Sequence, residues 1–105
     1  MSVDQQGDLV RWLEARTAGA PPVLRERVLE HAAAVTESMP APERLALASE
    51  RVLAIVEEHP GDRSVALDLL AADALITLTL LAQAEAAPAE LGSFAERLLA
   101  AERVV

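Results

Sequence analysis

The chain has 105 residues, 52% of them apolar, with no cysteine, lysine or tyrosine, one tryptophan and one phenylalanine. Lacking a thiol, it forms no disulfide framework, thiolate metal site or cysteine nucleophile, and its apolar content is too high for a disordered tail. The formal net charge of −8 repels phosphate backbones, so nucleic acid is not an expected partner.

At this length one domain with one core is expected. Residues Met1 to Gly7 are polar and acidic instead of a basic start followed by an apolar run, so a cytoplasmic location is expected. The 22 alanines and 17 leucines favour helices, and the β-branched and aromatic runs that mark strands are missing. Proline and glycine divide the chain into five segments, each with helical periodicity.

The first helix is expected over about Val3 to Arg16, with Ser2 or Asp4 as N-cap and Leu9, Trp12 and Leu13 on one stripe. Gly19 suits its C-terminal end, and Pro21-Pro22 cannot continue its hydrogen-bond ladder. The second helix, from about Pro22 to Ser38, aligns Leu24, Val28, His31 and Val35 at about 100° per residue. The third, from about Pro42 to His59, is expected to bury Leu45, Ala48, Val52, Ile55 and Val56. His59 at its end complements the helix dipole, and Asp62 can cap the segment that follows.

The fourth segment, Ser64 to Ala86, differs from the others. It contains no cation, and before Glu85 its only carboxylates are Asp68 and Asp73. Its Leu, Ile and Val residues cover nearly the whole helical circumference, which marks a helix that is central in its fold, membrane-spanning or buried in an oligomer. A span needs about 20 uninterrupted apolar residues, whereas Asp68 and Asp73 leave only Ala74 to Ala84 clear, so no membrane span is expected. The fifth helix, about Pro88 to Val104, aligns Leu91, Phe94, Ala95, Leu98, Ala101 and Val105, and its short link to the fourth implies an antiparallel hairpin. A Glu-Arg-apolar-Leu tetrad recurs at Glu26, Glu50 and Glu96, but its spacing fits no repeat period.

Residues capable of chemistry are few. His31 points along an apolar stripe, where it serves as a core or interface histidine or, in a functional reading, as a metal ligand or proton acceptor. Asp68 and Asp73 are costly to bury without partners. They lie about 140° apart on their helix, so they cannot form one paired-carboxylate site. Asp68 is expected in a polar strip with Thr79 and Gln83, while Asp73 and Thr77 face another layer or a second subunit. Arg25, Arg27, Arg11 and Arg16 are expected to be neutralised by Asp8, Glu14, Glu26 and Glu30, and Glu57, Glu58, Glu85 and Glu90 to form solvated acidic faces. There is no phosphate-cradling glycine loop, nucleophile elbow, metalloprotease motif or calcium loop.

These features predict an all-α, single-domain bundle of four to five helices with a central, almost wholly apolar fourth helix. The expected function is a small acidic protein–protein interaction module, homo-oligomeric through residues 64–86, with no catalytic activity, cofactor or metal. The alternative is a carrier or sensor of an apolar small molecule, such as an acyl chain, held between the helices. Candidate interface or pocket residues are His31, Asp68, Asp73, Leu69, Leu70, Ile76, Leu80 and Leu81.

Overall fold

Leucine and alanine at helical spacing, punctuated by proline and glycine, set the helices and their ends. The computed structural model describes residues 2–103, with side chains for residues 7–101. The expected capping by Ser2 or Asp4 and the burial of Val105 lie outside the described side chains. The elements are α1 (Ser2–Arg16), α2 (Pro22–Ala33), α3 (Ala41–Glu58), α4 (Val65–Ala86) and α5 (Leu91–Arg103).

The core gathers Leu9 and Leu13 of α1, Val28 and Ala32 of α2, and Val35 just beyond it. From α3 it takes Leu45, Ala48 and Val52, and from α4 Ala71, Ala72, Leu75, Leu78 and Ala82. Helix α4 is central, packing most extensively on α3 and also meeting α2 and α5. The alanines that α4 turns inward allow close helix approach. Phe94 and Leu98 of α5 are buried apart from this cluster, beside Ala46 and Glu50 of α3.

Several boundaries differ from the sequence reading. Helix α2 stops at Ala33, short of Ser38. The Val35 N–H turns back to the Ala32 carbonyl, and the Val35 carbonyl accepts from the Arg44 side chain at 2.7 Å, an acceptor that a continuing helix would need for residue 39. Gly19 does not adopt the left-handed conformation expected of a terminal glycine; Gly61, after α3, does so at φ 81°. The α3 end is closed by the His59 backbone N–H donating to the Val56 carbonyl. Asp62 then organises the entry to α4, its Oδ1 accepting from the Ser64 N–H and hydroxyl. Residues Pro88–Glu90 form a separate 3₁₀ turn before α5. Ile55, expected in the core, is 37% exposed.

Candidate functional site

At about 100° per residue, α4 divides into two arcs. The inward arc carries the buried Asp68, Ala71, Ala72, Leu75, Leu78, Thr79, Ala82 and Gln83. The outward arc carries Ala66, Leu69, Leu70, Asp73, Ile76, Thr77, Leu80, Leu81 and Ala84, within about 140° of the circumference. Leu69 and Leu70 are more than half exposed and Leu81 is 37% exposed, while Ile76 and Leu80 are half-buried. By length and composition α4 could cross a membrane, but its inward arc is packed into the bundle.

The polar strip expected along Asp68, Thr79 and Gln83 is present on the inward arc, but its members do not bond to one another. Thr79 donates to the Leu75 carbonyl at 2.6 Å and Gln83 to the Ala87 carbonyl at 3.4 Å. Asp68 instead joins α2: its Oδ1 accepts from Arg27 Nη1 at 2.6 Å and lies 2.9 Å from His31 Nε2. Arg27 and His31 stand four residues apart, so both side chains project from the same side of α2. Burial pushes the Asp68 pKa up, but the hydrogen bonds and charges of His31 and Arg27 outweigh it and hold the carboxyl below its ordinary range. No hydroxyl is hydrogen-bonded to His31 among the described residues, so the pair orients no nucleophile of the triad kind. Its structural effect is to pin α2 to α4.

The eight candidate residues therefore separate. His31 and Asp68 meet inside the α2–α4 contact, while Asp73, Leu69, Leu70, Ile76, Leu80 and Leu81 share the outer arc. Among the described residues, no three His, Asp or Glu side chains converge to hold a metal ion.

One expected pairing is replaced by a longer-range one, and another is kept and extended, Arg27 holding Glu30 at 3.6 Å as well as Asp68. Arg11 does pair with Asp8. Arg16, however, donates to Glu85 at 2.8 Å and stacks over Trp12 at 4.9 Å, while Trp12 Nε1 donates to the same carboxylate at 3.0 Å. Glu85 thus fastens α1 to the end of α4 and is held below the ordinary glutamate range, chiefly by Arg16 and then Trp12. Arg27 meets its helical neighbour Glu30 as expected; its four-residue spacing to His31 is the signal in the sequence for the target, Asp68, that the two share. Comparison with known proteins returns no matching family model, no matching curated protein and no matching solved structure.

Proposed function

We propose that the chain is a small acidic helical interaction module that pairs with a second copy of itself through the outer arc of α4. The observation that carries this reading is the symmetry of that arc. Leu69 and Leu81 stand six residues either side of Leu75, Leu70 and Leu80 five, Asp73 and Thr77 two, and Ala66 and Ala84 nine. A two-fold dimer needs a surface that is its own complement. A helix face patterned alike in both directions from its midpoint meets that need in antiparallel pairing.

With a dyad level with Leu75, Leu69 lies beside Leu80 of the second copy, Leu70 beside Leu81, and Ala66 against Ala84. Asp73 comes level with Thr77 of the second copy, a hydroxyl, instead of its own counterpart. In this role the chain needs no catalytic activity. The 22 residues of α4 extend about 33 Å, and a single helix face of that length makes a contact at the small end of specific interfaces.

Sedimentation velocity tests the reading. The wild-type chain is expected to sediment as a dimer at high micromolar concentration and to dissociate on dilution, while Leu70→Glu stays monomeric and helical. A wild-type chain that remains monomeric at hundreds of micromolar overturns it.

A further inference from the structure

A half-open groove of about 390 Å³ lies between α1, the start of α3 and the end of α4. Its volume falls among those of small-molecule sites, roughly 300–1,000 Å³. The walls are mostly carbon: Leu9 and Trp12 on one side, Met39, Pro40 and Pro42 on another, and Ala86 at the end. Arg44 also lines the groove, yet it is only 6% exposed.

The surroundings of Arg44 do not complete its bonding. One nitrogen donates to the Val35 carbonyl at 2.7 Å, but Nε is buried with no hydrogen-bond partner among the described residues. No carboxylate pairs with it among the described residues, although the chain has 17. Among the described residues the carboxylates at the groove are Asp8 and Glu85, engaged by Arg11 and by Arg16 with Trp12. A guanidinium stays charged and carries five donors, so burying it without a counter-ion is costly. An apolar groove with one uncompensated cation matches a ligand with an apolar body and one anionic end.

We infer that this groove binds an aliphatic carboxylate, with the head group on Arg44 and the chain along Leu9, Trp12 and the two prolines. At about 30 Å³ per water-sized group, the space accepts a chain of roughly eight to twelve carbons. The site is separate from the outer arc of α4 and does not depend on dimerisation.

Trp12 is the single tryptophan and lines the groove, so its fluorescence reports occupancy directly. The full chain is titrated with decanoate and, in parallel, with decanol, both below their aggregation concentrations. Decanoate is expected to shift Trp12 emission saturably and to raise the thermal midpoint, as a ligand of the native state must. Decanol, lacking the charge-assisted hydrogen bonds to Arg44, binds about ten-fold more weakly or worse. Arg44→Gln abolishes that preference. Because Arg44→Gln also removes a bond to Val35, a second variant guards against a folding defect: Ala86→Phe, at an exposed position, fills the groove and lowers decanoate affinity by about ten-fold or more. The inference is overturned by a flat decanoate titration, by decanol binding as tightly as decanoate, or by a folded Ala86→Phe chain that binds decanoate unchanged.

Discussion

At the scale of single residues, Asp68 fixes how α2 meets α4. Its carboxylate is buried, whereas its partners are less so, the Arg27 side chain being 33% exposed and that of His31 18%. Asp68→Ala takes the shared acceptor from His31 and leaves Arg27 with Glu30 alone, and is expected to cost about 1–3 kcal/mol at neutral pH, with Asp68→Asn costing less because it keeps an acceptor. The pH dependence has a definite sign. The folded-state pKa of Asp68 is lowered, so its stabilisation is complete above the unfolded value, near about 3.9, and is lost as pH falls through the folded value. Glu37, Asp62 and Glu85 are lowered too, but they are exposed and contribute little. Urea denaturation at pH 7 and again near pH 3 should show the gap between wild type and Asp68→Ala shrinking in acid. A gap of equal size at both pH values would assign the loss to packing instead of the ion pair. The sequence marks Asp68, with Asp73, as a charge in need of a partner, because a carboxylate in an apolar helix is visible in one dimension. Arg44 gives no such signal: a charged residue in the first turn of a helix reads as solvated, and its burial and its bond to the Val35 carbonyl come only with the tertiary fold.

At the scale of the element, α4 shows where pattern reading stops. Apolar residues on every side announce a central helix, but they do not say which arc faces inward, because a stripe is legible only by contrast with polar residues. The few polar positions supplied some contrast, since Asp68, Thr79 and Gln83 all lie inward and Asp73 and Thr77 both lie outward. The end of α2 was less legible, since it depends on an arginine nine residues further on taking the Val35 carbonyl. The outer arc also allows a test of register that sedimentation alone does not provide. The chain has no native cysteine, so single cysteine variants probed with a short bis-maleimide report one distance each. About a dyad at the level of Leu75, Ile76→Cys lies beside its own counterpart and crosslinks as a homodimer. Leu69→Cys lies about 18 Å along the axis from its counterpart and does not, but it crosslinks when mixed with Leu80→Cys. A parallel pair would instead crosslink every single variant alone. That outcome, with the dimer intact, would reject the antiparallel register while leaving self-association standing.

At the scale of the whole molecule, apolar excess and negative charge act against each other. Val23 and Leu99 are exposed large apolar residues on separate helices, and apolar residues scattered singly are ordinary on a protein surface. On α4, by contrast, exposed and half-buried leucines and an isoleucine adjoin one another along one arc. Two copies meeting there each bring a net charge of −8, so long-range repulsion opposes an association that apolar contact favours. Salt separates the two effects. The Debye length falls from about 30 Å at 0.01 M to about 10 Å at 0.1 M, compared with molecular extents of 40 × 30 × 25 Å. Added salt therefore screens repulsion between the two bodies while leaving leucine contacts in place. The dimer is expected to tighten as sodium chloride rises from low to physiological concentration. In small-angle scattering this appears as a radius of gyration growing beyond the 13.5 Å of the single chain at constant protein concentration. Association that weakens with salt would mean that the α4 face is held by charge attraction, as with a basic partner, and would count against pairing between two acidic copies.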